Sequence, residues 1–172
     1  MSIYALKPKF QALLRPLVAA LARSGITANQ VTIAACVVSV VLGLWLAFGN
    51  VTSAAYLWLP VWMFLRMAFN AIDGMLAREF GQQSKLGGYL NELTDVIADA
   101  ALILPFAAIA PFAQGHGPLW LASLALLAAL SEFAGALGVT VGASRRYDGP
   151  MGKSDRAFVL GALGLWFGLA GT

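Results

Sequence analysis

The chain has 172 residues, a formal net charge of +3, 60% hydrophobic residues and only 11% charged ones. A water-facing globular surface needs roughly 25% charged residues, so this composition excludes an ordinary soluble domain. The basic excess sits in three clusters between apolar runs, as membrane orientation requires, and no nucleic-acid function is needed to explain it.

The first 26 residues carry Phe10, Leu13, Leu14, Leu17, Val18 and Leu21 at helical spacing, with Lys9, Gln11 and Arg15 on other faces. This pattern predicts an amphipathic helix on the membrane surface. Pro8 suits its first turn, and Pro16 should bend it. Ser24 and Gly25 should end it, with Thr27 or Asn29 capping the next helix.

Five apolar runs follow, near Val31–Phe48, Ala54–Phe80, Lys85–Phe112, Leu119–Val141 and Phe158–Gly171. A bilayer takes about 20 helical residues, so each reads as a span. No run alternates as a barrel strand does. The expected fold is an all-α integral membrane protein in one domain, 1–172: an interfacial helix over 1–26, then five transmembrane helices in a bundle over 31–172. Lys7, Lys9, Arg15 and Arg23 precede the first span, Arg78 and Lys85 flank the second connection, and Arg145, Arg146, Lys153 and Arg156 lie in the fourth. The first and third connections, around Asn50–Ser53 and Gln114–Pro118, contain no Lys or Arg. The positive-inside rule then places the amino terminus in the cytoplasm. Cys36 is alone in an apolar span and reads as packing. His116, in a short loop, has no assigned role.

The short turn Glu79–Ser84 makes the second and third spans an antiparallel hairpin, with Gly87 and Gly88 allowing close approach of helices. Polar residues interrupt these spans: Arg66, Asn70, Asp73, Asn91, Asp95, Asp99 and, further on, Glu132. A charge at a helix centre costs about 3 kcal/mol, so such residues serve function or pair with one another. Positions 66, 70, 73 and 77 fall within about 60° on one helix, while Asn91, Asp95 and Asp99 stack turn upon turn. Two polar faces should converge on a pocket open to the cytoplasm. Hard oxygen ligands of this kind suit Mg²⁺ or Mn²⁺. With Arg78 nearby they would hold a pyrophosphate, and a carboxylate could take the proton of an attacking hydroxyl. A cation-coupled transporter could use similar intramembrane acids. Arg66 and Glu132 are expected to pair across the membrane interior, with Arg66 near the metal site as the other reading.

The stretch DGMLAREFGQQSKLGGYLNELTD, Asp73–Asp95, strongly resembles the signature D-x2-D-G-x2-A-R-x8-G-x3-D-x3-D of the CDP-alcohol phosphotransferase (CDP-alcohol phosphatidyltransferase) family. Asp73, Gly74, Ala77, Arg78, Gly87 and Asp95 match, while Asn70 and Asn91 stand at the first and third aspartates. ITANQVT, Ile26–Thr32, is similar to the family's entry to its first span, with Ala28 in place of proline. The resemblance implies that a CDP-alcohol such as CDP-diacylglycerol donates a phosphatidyl group to a small alcohol or polyol-phosphate acceptor, releasing CMP. Asp73, Asn70, Asn91 and Asp95 would be the metal positions, and Asp73, Gly74, Ala77, Arg78 and Gly87 would take the nucleotide. Asp95 would be the general base. Arg145, Arg146, Lys153 and Arg156 would meet an anionic acceptor, or only orient the protein.

The two asparagines remove two negative charges, so metal binding is expected to be weaker, with Asp99 or Glu92 to compensate. The family commonly has six spans; five here read as a shortened chain or gene fragment. Family precedent also implies a homodimer, and so compact a chain suits a bacterial inner membrane. A catalytically silent CDP-lipid-binding homologue and a small cation-linked transporter are the competing readings.

Overall fold

The computed structural model describes residues 6–143 and 152–170. Six α-helices follow in chain order: α1 (Leu6–Arg23), α2 (Ala28–Phe48), α3 (Trp58–Glu79), α4 (Lys85–Ile103), α5 (Gly117–Leu137) and α6 (Lys153–Ala170). No strand occurs among the described residues, and the fold is the all-α one expected. Three segments are long and apolar enough to cross a membrane: Ala28–Phe48, Ser53–Glu79 and Gly117–Val141. The other two expected spans, α4 and α6, are less apolar because they carry the acids and bases of the buried cluster described below.

Local chemistry explains the helix ends. Gly25, at φ +77°, closes α1 with two reverse hydrogen bonds, Gly25 N–H to Ala22 O and Ile26 N–H to Leu21 O. That left-handed turn costs a glycine nothing, since it has no Cβ. Thr27 then caps α2 in a reciprocal box with Gln30. Ser84 caps α4 by accepting from Gly87 N–H at 2.9 Å. Pro16 lies inside α1 without ending it.

Three boundaries differ from the sequence reading. The second span opens with a 3₁₀ turn, Ser53–Leu57, before α3. The third stops being α-helical at Ile103 and tightens into a 3₁₀ turn, Leu104–Ala108, where Pro105 has no N–H to continue the ladder. The last helix begins at Lys153, five residues before the expected Phe158, so Lys153 and Arg156 belong to a helix and not to a loop.

The bundle has two apolar layers. One gathers Tyr56, Leu59, Leu102, Phe106, Leu160 and Phe167. The Tyr56 ring lies 5.0 Å from Phe106 and 4.9 Å from Phe167 between ring centres, and its hydroxyl donates to Pro105 O at 3.3 Å. The other layer seats α1 on the bundle through Val18, with Ile72, Met75 and Leu76. Leu13 and Leu17 on α1 stay exposed, as a surface-lying amphipathic helix requires. Arg15 grips Glu79 at the end of α3 through two hydrogen bonds, of 2.9 and 3.0 Å. Between α2 and α4 the backbones touch: a Cβ on Gly43 would run into the Ala101 carbonyl. Close helix approach through a small residue is what drives association in lipid.

Candidate active site

The α3–α4 hairpin forms as expected, turning over 80–84. It is tied to the start of α2 by Gln82, whose Oε1 accepts from Ala28 N–H at 2.7 Å and whose amide donates to Ile26 O at 3.4 Å. Gly87 matters here for close approach: a Cβ would come 2.7 Å from Asn29 Oδ1. Gly88 has open space instead. The Arg78 guanidinium folds back over Gly74, and Ala77 packs on the layer that holds α1.

The two motif carboxylates have different surroundings. Asp73, buried on α3, accepts a 2.7 Å hydrogen bond from the Thr32 hydroxyl of α2. It forms no ion pair among the described residues. Asp95, buried on α4, meets two cations: Arg66 at 2.9 Å on Oδ1 and Lys153 at 2.5 Å on Oδ2.

Those contacts continue into a closed ring. Arg66 also pairs with Asp99 at 2.5 Å, and Asp99 with Arg156 at 2.7 Å. Arg156 pairs with Glu132 of α5, and Glu132 lies 3.6 Å from Lys153, which returns to Asp95. Three acids and three bases alternate around it, contributed by α3, α4, α5 and α6. Five of the six side chains are at most 8% exposed, while Lys153 is 25% exposed. Burying this many charges is tolerable only because each is paired and the ring is neutral.

This ring corrects two expectations. Arg66 and Glu132 do not pair with each other: Arg66 takes Asp95 and Asp99, and Glu132 takes Arg156 and Lys153. Asp99 is not left over to compensate for the asparagines, since both its oxygens are held by arginines. Lys153 and Arg156, read from the sequence as an acceptor-facing connection, turn instead toward these acids. Arg145 and Arg146 lie outside the described residues, as do the first five residues of the chain. The ring itself was missed in the sequence, although one base and three acids inside apolar spans, Arg66 against Asp95, Asp99 and Glu132, were a signal that two further bases were needed.

Among the described residues no group of three or more His, Cys, Asp or Glu is placed to hold a metal ion. The motif positions outside the ring are the Asp73 carboxylate and the half-buried amides of Asn70 and Asn91, and the Asn91 amide oxygen accepts from Lys153 at 3.3 Å. That chemistry fits a single Mg²⁺ or Mn²⁺ with one carboxylate and neutral oxygens, not a carboxylate cage. A groove of about 390 Å³ lies between α2 and α3, lined by apolar residues including Trp45, Trp58 and Trp62.

A helical bundle with apolar spans, buried carboxylates on the α3–α4 hairpin and an arginine beside its turn defines a class: a membrane-embedded protein with a polar interior cluster. The profile of the CDP-alcohol phosphatidyltransferase family matches residues 25–170, and the chain belongs to that family. It is 46% identical over 169 residues to "Inner membrane protein YnbA" of Escherichia coli (strain K12), an alignment covering 96% of this chain and 80% of that relative. It is 33% identical over 102 residues to the archaetidylinositol phosphate synthase of Pyrococcus horikoshii, covering 59% of this chain and 52% of the relative. Against the phosphatidylinositol phosphate synthase of Mycobacteroides abscessus it is 32% identical over 117 residues, covering 67% and 50%. No solved structure matches the chain. The resemblance carried by Asp73–Asp95 is borne out, and family and relatives together point to a membrane transferase of phospholipid synthesis.

Proposed function

We propose that this chain transfers a phosphatidyl group from CDP-diacylglycerol, or a related CDP-alcohol, to a small hydroxyl acceptor with release of CMP. The observation that carries this reading is the pairing of Asp73 and Asp95 on one hairpin with Arg78 and Gly87 at the motif spacing, inside a family match that spans the bundle. Asp73 with Asn70 and Asn91 would hold a divalent cation, Mg²⁺ or Mn²⁺, which would supply charge neutralisation for a bound pyrophosphate. Arg78, exposed beside the turn and lying over Gly74, is free to swing to a phosphate. Gly74 and Ala77 are the small motif residues assigned to the nucleotide, with the Arg78 guanidinium over Gly74.

Asp95 acts as general base for the acceptor hydroxyl. Access to it runs past Lys153, the most exposed member of the ring. An anionic acceptor, of polyol-phosphate type, meets Lys153 there; Arg145 and Arg146 are assigned to the same acceptor from the sequence alone. Arg156 contributes by holding Asp99 and Glu132. The names of two relatives, both synthases of inositol phosphate lipids, support that acceptor class. The protein works as a homodimer in a bacterial inner membrane with its amino terminus in the cytoplasm. The E. coli relative's name and the distribution of Lys and Arg support this placement.

The test is purified protein with CDP-diacylglycerol, Mg²⁺ or Mn²⁺ and a panel of alcohols and polyol phosphates, with CMP measured. Metal-dependent CMP release that requires an acceptor supports the transferase. Asp95→Asn should abolish release while nucleotide binding persists, and retained turnover would sink the general-base role. Nucleotide binding without turnover of any acceptor would make the chain a silent lipid-binding homologue.

A further inference from the structure

The first turn of α2 has backbone N–H groups that its own ladder cannot use. The reciprocal box satisfies two donors there, Gln30 N–H through the Thr27 hydroxyl and Thr27 N–H through the Gln30 side chain. Ala28 N–H, at the first helical position, is satisfied from the hairpin instead. It donates to Gln82 Oε1 at 2.7 Å, across 54 positions of chain. The Gln82 amide donates in turn to Ile26 O at 3.4 Å. Over 78–86, Gln82 is the one residue that is not exposed. The turn between α3 and α4 therefore completes the cap of α2.

This contact depends on a departure from the motif. Ala28 stands where the resembled entry sequence has proline, and a proline has no N–H to donate. The tie falls midway between two positions assigned to the nucleotide, Arg78 in the last turn of α3 and Gly87 in the first turn of α4. The same stretch of α2 meets the hairpin twice more. Asn29 Oδ1 lies 2.7 Å from where a Cβ on Gly87 would stand, and the Thr32 hydroxyl donates to Asp73 at 2.7 Å. Arg15 also reaches this end of the hairpin through Glu79, but an exposed ion pair holds little.

We propose, resting on the transferase reading above, that Gln82 is a positioning residue. Its bond to Ala28 N–H fixes the mouth of the hairpin against α2 and so sets the places of Arg78 and Gly87 for the nucleotide. Gln82 acts through those residues and needs no contact with substrate.

The experiment is CMP binding to the detergent-solubilised full chain with Mg²⁺ present, by titration calorimetry, alongside the unfolding midpoint. Ala28→Pro is the decisive variant. Proline is favoured at the first position of a helix, and Thr27, at φ −96° and ψ 154°, already has the extended backbone that a following proline requires. The midpoint should therefore hold while CMP binding weakens about fivefold, the worth of one hydrogen bond. Gln82→Ala should weaken binding by the same factor, and the double variant no further. Folded variants that bind CMP as tightly as the parent overturn the proposal, whatever happens to the midpoint, and so do losses that add in the double variant. Gln82→Ala decides alone if Ala28→Pro does not fold. A parent that binds no CMP removes the transferase reading and this inference with it; a binding parent matched by its variants removes this inference only.

Discussion

Asp73 and Asp95 occupy the second and fourth carboxylate positions of one motif, yet they sit in opposite electrostatic surroundings. Asp73, on α3, is buried beside a hydroxyl and keeps its negative charge unneutralised by any ion pair among the described residues. Asp95, on α4, is held between Arg66 and Lys153 as part of a neutral ring. Sequence spacing treats the two as equivalents. The difference shows that one half of the hairpin leaves its carboxylate without an ion pair among the described residues, while the other has been given its cations by the chain.

The largest effect should come from breaking the ring at Arg66, the base that bridges both of its α4 acids. Arg66→Ala leaves Asp95 and Asp99 each short of a partner, and removing one member of a buried ion pair costs about 3–5 kcal/mol. Unfolding in detergent, followed by circular dichroism, should show that loss. A charge swap between Arg66 and Glu132 should fail to rescue it, because the two are not partners. Rescue would mean that the ring is drawn wrongly.

The same neutralising change at the two carboxylates sharpens the contrast. Asp95→Asn strips charge from two cation contacts and should cost about 2 kcal/mol, the scale of hydrogen bonds to charged groups. Asp73→Asn keeps an acceptor for Thr32 and removes a buried charge, so the unfolding midpoint should hold or rise while CMP release is lost. Equal destabilisation by both would erase the distinction drawn between them. Thr32→Val should cost about 1 kcal/mol and weaken Mn²⁺ binding, since the hydroxyl that orients Asp73 is gone. The smallest effect belongs to Arg15→Ala. Its pair with Glu79 is solvent-exposed, so the unfolding midpoint should not move measurably.

Much of the hairpin was legible. The turn Glu79–Ser84 lies between α3 and α4 as read, α3 ends within a residue of the expected Phe80, and Thr27, one of two cap candidates, caps α2. These are local signals, carried by side chains within four residues of the backbone groups they satisfy. The partners of Arg66 were not legible in the same way. The cost of a lone charge inside the membrane favoured Glu132 as its partner, but the early start of α6 brings Arg156 and Lys153 to that acid instead. Spacing along one helix says which residues share a face; it does not say which neighbouring helix that face will meet.

The division between the two levels follows from the range of the forces. Composition, apolar runs and turn residues determined that this is a helical membrane protein with an α3–α4 hairpin and a phosphotransferase motif, because each depends on nearby residues or on transfer into lipid. Only tertiary packing decided that Asp95 is neutralised and Asp73 is not. Ion pairing depends on a few ångströms between side chains up to 62 positions apart, as in Lys153 and Asn91, and no local pattern carries that distance.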